Sequence, residues 1–261
     1  MRTPWLAVLG LAVIIPACSK EQPRQEQPAG DKPQAQTGEA GNASGPMGSA
    51  TIKGVVKFTG TAPQNPAIDM GEEPQCKSHY KETPREPVVV TSSSGGLGNV
   101  FVYVKAGIPA GAQYTAPSSD VELDQEGCLY QPRVFGLMVG QKMMIKNADP
   151  LLHNIKAKPK VNRPFNISQP TKGLETERTF TSSEVMVPFE CNVHGWMHAY
   201  AGVLNHPFFA TTGADGSFSI EKLPAGSYTI EFWHEKFGTQ TVQINVSEGE
   251  TKTADYTFTA K

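Results

Sequence analysis

The chain has 261 residues, a formal net charge of −2 and 18% charged residues, which argues against a basic nucleic-acid-binding surface. Its 25 glycines and 21 prolines punctuate it too densely for long helices, and four cysteines are too few to build a disulfide scaffold. Each cysteine therefore needs its own explanation.

Residues 1–18 carry one charge, Arg2, then an apolar run from Trp5 to Ile15, then Pro16, Ala17 and Cys18. This is the layout of an export signal, and the run is shorter than the roughly 20 apolar residues a spanning helix needs. The Ile-Pro-Ala-Cys ending resembles the lipobox of bacterial lipoproteins. That resemblance implies acylation of Cys18, contact with a membrane through the lipid anchor, and residence at the periplasmic or extracellular face of the cell envelope. Without acylation the chain would be secreted. Residues 19–50 are rich in Gln, Pro, Gly, Ala and Ser, and their charges cancel once Arg2 is counted with them, so they are expected to form a disordered tether reaching roughly 30 Å.

From Thr51 onward, short runs rich in β-branched and aromatic residues alternate with turn residues, which predicts an all-β fold. The predicted strands are 51–58, 87–91, 99–105, 142–147, 185–189, 201–204, 217–220, 228–234, 240–246 and 252–259. In the run from Tyr228 to His234, Tyr228, Ile230 and Phe232 share one face, as a half-buried strand requires.

The stretch 210–246, with Asp215-Gly216-Ser217-Phe218 and Leu223-Pro224-Ala225-Gly226, resembles the carboxypeptidase regulatory-like, carbohydrate-binding-like β-sandwich, an immunoglobulin- or transthyretin-like module. The first strands of such a module look like Ile52 to Phe58 and Asn99 to Val104, both before residue 115. The resemblance therefore implies a discontinuous sandwich, 51–115 plus 205–261, with a second domain at 116–204 inserted between its halves.

Within that insert lie Asn147-Ala148-Asp149-Pro150-Leu151-Leu152-His153-Asn154 and Cys191-Asn192-Val193-His194-Gly195-Trp196-Met197. An upstream His followed by Cys-x-x-His-x-x-Met offers two imidazoles, a thiolate and a thioether, the donor set of a trigonal copper site with a weak axial Met. The bland alternative is that these residues merely fill a core. The motif resembles that of the cupredoxins, the Greek-key type 1 copper proteins, and its loop is similar to the amicyanin loop and shorter than that of plastocyanin. The resemblance implies one copper, with His153, Cys191 and His194 as equatorial ligands and Met197 as the axial one. It also implies support from Asn147 and Asn154, the latter placing its backbone N–H against the Cys191 sulfur. An exposed His194 edge ringed by Pro150, Leu151, Gly195 and Trp196 would be the electron-transfer patch. Gly195-Trp196 stands where amicyanin has Pro-Phe, and Leu152 where relatives usually have Pro.

If Cys18 is acylated and Cys76 pairs with Cys128, the thiol of Cys191 is left for a metal. A competing expectation gives Cys76 and His79 a second metal site. His198 is expected to face solvent, and His206 and His234 to be hydrogen-bonded turn and strand-end residues. The chain has no His-x-His pair and no second cysteine in the ligand loop, unlike multicopper oxidases, copper nitrite reductases and dinuclear copper centres. The expected function is single-electron carriage to an unidentified redox partner protein, without catalysis. The alternative is a surface module binding carbohydrate or protein, with copper in a storage, sensor or structural role.

Overall fold

The computed structural model describes residues 45–260. The expectations for the export signal and Cys18, and for the tether up to residue 44, lie outside the described residues. Residues 45–50, assigned above to the tether, already belong to the fold: Gly48 N–H donates to Lys222 O (2.9 Å) and Ser49 N–H to Glu248 (3.1 Å). Backbone pairing there offsets the ordering entropy that composition alone leaves uncompensated.

Among the described residues there are seventeen strands and one short helix. They are β1 (Ala50–Thr59), α1 (Pro74–Lys77), β2 (Phe101–Ala106), β3 (Val121–Glu126), β4 (Leu129–Gln131), β5 (Val134–Met138), β6 (Met143–Asn147), β7 (His153–Ala157) and β8 (Phe165–Gln169). Then come β9 (Glu175–Arg178), β10 (Glu184–Glu190), β11 (His198–Leu204), β12 (Phe209–Thr211), β13 (Ser217–Leu223), β14 (Gly226–His234), β15 (Gly238–Val246), β16 (Thr251–Thr253) and β17 (Tyr256–Thr259).

The described residues are all-β apart from α1, and their strands sort into two pairs of sheets. β1 pairs with β13, β16 and β17, while a second sheet runs β12-β2-β14-β15; the core between them holds Ile52, Val56, Val102, Phe218, Ile230 and Phe232. The strands β3 to β11 pair only with one another, in sheets ordered β5-β11-β10-β7-β8 and β4-β3-β6-β9, around Leu123, Leu137, Ile145, Val187 and Phe189. Strands lying on both sides of that stretch in sequence, such as β2 and β14, are hydrogen-bonded neighbours.

Local chemistry explains where pattern reading and structure part. Residues 87–91 form no strand, because the Asn65 side chain takes both the N–H and the C=O of Val89, each at 2.9 Å, as a neighbouring strand would. The predicted strand 252–259 breaks at Ala254–Asp255 into β16 and β17, which pair with successive parts of β1. The polar β9 and the short β4 escape a hydrophobic-pattern search because they lie at sheet edges with exposed faces.

The two sandwiches meet on a flat glycine pair. Gly136 of β5 sits opposite Gly202 of β11, and a Cβ at Gly202 would stand 2.2 Å from the Phe101 ring. Glycine there lets Phe101 and Phe209 lie against the sheet. Beside it, the buried Arg133 forms a two-pronged ion pair with Glu235 (2.6 and 3.0 Å) and reaches Glu86 (3.3 Å). Such bidentate guanidinium geometry fixes orientation as well as distance.

One segment lies elsewhere than its sequence position implies. Ile68, Met70 and Cys76, assigned above to the 51–115 sandwich, pack into the core of the β3–β11 sandwich. They are held there by the bond between Cys76 and Cys128, whose Cα atoms are 5.6 Å apart. The proposed metal site of Cys76 with His79 is thereby corrected: the Cys76 sulfur is consumed in the disulfide.

Candidate metal centre

The centre is built at one end of the β3–β11 sandwich from two local segments. β10 and β11 are antiparallel neighbours, and the loop 191–197 that joins them is closed by Glu190 pairing opposite His198. Inside it, Cys191 N–H donates to Met197 O (3.3 Å) and Met197 N–H to His194 O (3.0 Å). The loop is thus a compact, hydrogen-bonded turn. Val193 and His194 both turn their N–H groups toward the Cys191 sulfur at 3.4 Å.

The second segment delivers His153 at the start of β7. Asn147 organises it: its Nδ2 donates to Leu151 O and Gln169 O (2.9 Å each), and its Oδ1 accepts from Asp149 N–H (3.0 Å). Asn154 ties this segment to the ligand loop, accepting from Asn192 N–H at 3.3 Å and donating to Ile167 O at 3.0 Å.

The donor atoms converge. His153 Nδ1 lies 3.0 Å from His194 Nδ1, which lies 3.8 Å from Cys191 Sγ, and all three donors fall within 4.8 Å of one another. Each of these residues is buried, and Met197 is fully buried in the same cluster. Two imidazole nitrogens and a sulfur facing one another in a buried space suit a soft, positively charged ion.

Asp149, which the sequence reading passed over, completes the arrangement. It is 1% exposed and accepts from Gly127 N–H and Cys128 N–H (2.8 Å each) and from His153 Nε2–H (2.8 Å). A carboxylate only accepts, so the His153 proton is fixed on Nε2 and the Nδ1 lone pair is left for a ligand. The signal was present in the sequence as an acid four residues before the histidine.

Electrostatics follow from these contacts. Burial pushes the Cys191 thiol up, but His153, His194 and the backbone N–H groups of His194 and Asn154 outweigh it and pull it down to about 5. Burial disfavours charge on His153, yet the Asp149 and Cys191 contacts hold its pKa above the ordinary value. Burial works against the Asp149 carboxylate, while His153 and the two backbone donors hold it below the usual range. The thiolate that a metal requires is therefore favoured near neutrality.

The predicted electron-transfer patch is corrected in one respect. Pro150 and Gly195 are exposed and Leu151 and Trp196 half-buried, but His194 at their centre has 0% exposure. Cys76 Sγ lies 3.6 Å from His194 Nε2, and a Glu73 carboxylate oxygen lies 4.0 Å from it. The segment bonded to Cys128 covers the edge that the loop alone would leave open.

Of the remaining histidines, His79 reaches the cluster only through Asp149 and the other three do not join its donors. His79 Nε2 is 3.6 Å from Asp149, and His198 is half-buried opposite Glu190. His206 Nδ1 accepts from Phe208 N–H (3.2 Å) and His234 Nδ1 from Lys236 N–H (3.1 Å), a turn and a strand end.

Fold and site together define a β-sandwich protein, over the described residues, with a buried cluster of two histidines and a cysteine. Residues 202–259 match the family model of the carboxypeptidase regulatory-like domain. No curated relative matches the sequence. Among solved structures, the chain is similar to a purple cupredoxin from Nitrosopumilus maritimus, at 20% identity over 32% of this chain and 99% of that one, TM-score 0.28. It is similar to an oxidised amicyanin mutant at 17% identity over 39% of this chain and 97% of that one, TM-score 0.30. A copper-containing nitrite reductase from Thermus scotoductus matches at 20% identity over 39% of this chain, TM-score 0.30, and the chain spans only 26% of that enzyme.

Proposed function

We propose that this chain is an exported type 1 copper protein that carries single electrons. The observation that supports this most is the convergence of His153 Nδ1, His194 Nδ1 and Cys191 Sγ on one buried point. In this reading His153, Cys191 and His194 would hold one copper, with Met197 as a weaker fourth ligand, and the ion would supply a Cu(II)/Cu(I) couple there.

The chain's own residues make that exchange inexpensive. Asp149 and Asn147 hold the His153 segment, and the hydrogen-bonded turn holds Cys191 and Met197, so little rearrangement accompanies a change of charge. The N–H groups of Val193 and His194 spread the thiolate's charge. All three strong donors are buried, which limits the access of water to them. The carboxypeptidase regulatory-like sandwich, 51–115 plus 205–261, would serve as the scaffold into which the copper domain, 116–204, is inserted. Cys18 would anchor it to the membrane by its lipid, and the partner would be another redox protein.

The test is to add Cu(II) to the copper-free protein and record absorption and voltammetry. An intense thiolate-to-copper band with reversible one-electron reduction is expected, and Cys191→Ser abolishes the band. A colourless protein, or colour that survives Cys191→Ser, overturns the copper assignment. Colour with irreversible reduction and free exchange of copper would favour storage or sensing instead.

A further inference from the structure

The segment over His194 raises the question of how an electron enters. It is fixed at three points beyond its backbone: the Cys76–Cys128 bond, Tyr80 O–H donating to Gly127 O at 2.7 Å, and His79 lying 3.6 Å from Asp149. Both sulfurs of the bond are in fully buried residues, so this side offers a partner no conducting surface.

Trp196 stands at the border of that cover. The Trp196 ring lies 5.3 Å, centroid to centroid, from the His194 imidazole, and its Nε1–H donates to Cys128 O at 2.9 Å. Trp196 is thus fixed by the residue that pins the cover, and it is half-buried, with one part against the ligand histidine and another at the surface. It lines a cleft with Val193, which is 43% exposed, and with the acidic Asp69, Glu72 and Glu73 of the covering segment, and a Cβ at Gly195 would meet no atom within 4 Å. Electronic coupling falls steeply across empty space, so a π system touching both the ligand and the solvent shortens the gap that a partner must bridge. Indoles also suit such a boundary, having a large apolar face and a single polar atom.

We infer that electrons reach the proposed copper through the Trp196 indole and not through the edge of His194, which the disulfide-pinned segment seals. The inference rests on the copper reading above. Trp196 is a positioning and relay residue here, not a ligand. One electron passes from a one-electron donor, which is oxidised, and the site is reduced from Cu(II) to Cu(I), with no bond made or broken in the indole. The competing route runs from His153 through the Asp149 carboxylate to His79 at the surface, and it crosses two non-bonded gaps, of 2.8 and 3.6 Å.

Two experiments on the full chain test this. The copper-free protein is treated with diethyl pyrocarbonate and its peptides are weighed. His194 is expected to stay unmodified while the disulfide is intact and to react in Cys76→Ala/Cys128→Ala; modification of His194 in the intact protein overturns the inference without any Trp196 variant. The copper-loaded protein is then reduced by hexaammineruthenium(II) in a stopped-flow instrument. Trp196→Leu should slow the reaction about tenfold, equivalent to about 1.4 kcal/mol of barrier, with Trp196→Phe keeping most of the rate and both keeping the absorption band and midpoint potential. Removing the disulfide from Trp196→Leu should restore the rate by opening the His194 edge. A Trp196→Leu rate within about twofold of the parent at unchanged band and potential overturns the inference alone, as does a greater loss in His79→Ala. Absence of the band from the parent protein overturns the copper reading and this inference with it.

Discussion

Two regions of this molecule bury a pair of histidines each, and physical chemistry treats the pairs in opposite ways. At the end of the β3–β11 sandwich, His153 and His194 point nitrogens at each other and at a thiol, and Asp149 backs the first of them. In the other sandwich, His206 and His234 lie among aromatic rings, Phe208 at 5.8 Å and Phe237 at 4.7 Å, with a backbone N–H on Nδ1 of each. Burial pushes both of these down to about 4, and His234 Nε2 has no partner among the described residues. Burial of a histidine is thus no mark of a metal ligand; convergence of its free nitrogen with other donors is.

The largest expected effect comes from cutting the link that closes the copper end. Cys76→Ala/Cys128→Ala releases a bond spanning 52 residues, and the chain-entropy account gives a loss of about 4 kcal/mol. Urea unfolding of the copper-free protein would measure it, and an unchanged midpoint would show that the cover is not needed for folding.

Acid should separate the two histidine pairs next. An unfolded imidazole titrates near 6.5, and His206 and His234 titrate at about 4 when folded, so the unfolded chain binds more protons between those values. Their contribution is complete above the unfolded pKa and declines as pH falls from about 6.5 toward 4, by about 2–3 kcal/mol each. His153, whose pKa is raised, has the opposite sign: its contribution is present below the unfolded value and lost as pH rises through the folded one. Imidazole resonances followed by NMR would check the order, and titration of His234 near 6.5 would remove the distinction.

Asp149→Asn tests the support of the copper end directly. The amide can present an N–H to His153 Nε2 and favour the wrong tautomer, so copper affinity should fall about 10- to 100-fold, read by competition with a chelator. An unchanged affinity would mean that the Asn147 turn alone positions His153.

Gly195→Ala should do least. Its Cβ meets open space and its φ is not in the left-handed region, so band and stability should both hold, within about 0.5 kcal/mol. Gly195 in place of proline in the ligand loop then costs the site little, because hydrogen bonds among Cys191, His194 and Met197 already close it.

Much of the centre was legible in the sequence because it is local. Cys191, His194 and Met197 lie within one turn between paired strands, and Asn147, Asp149 and His153 lie within another, so spacing already constrains their geometry. The β character of the chain was legible for a related reason, since alternation reports which face of a strand is buried. Edge strands such as β9 were not, having little to bury, and the non-strand at 87–91 was not, because a distant asparagine amide replaced the expected neighbour.

What only the tertiary structure decided is the surface of that centre. Cys76 touches His194 across 118 positions of sequence, a contact that no local pattern encodes. It arises because Cys128, Gly127 and Asp149 offer a covalent bond and hydrogen-bond acceptors to a segment whose own strands belong elsewhere. Sequence by itself placed the donors in two short local segments; the fold determined that the outer face of His194 is closed and that the half-buried Trp196 borders the cover.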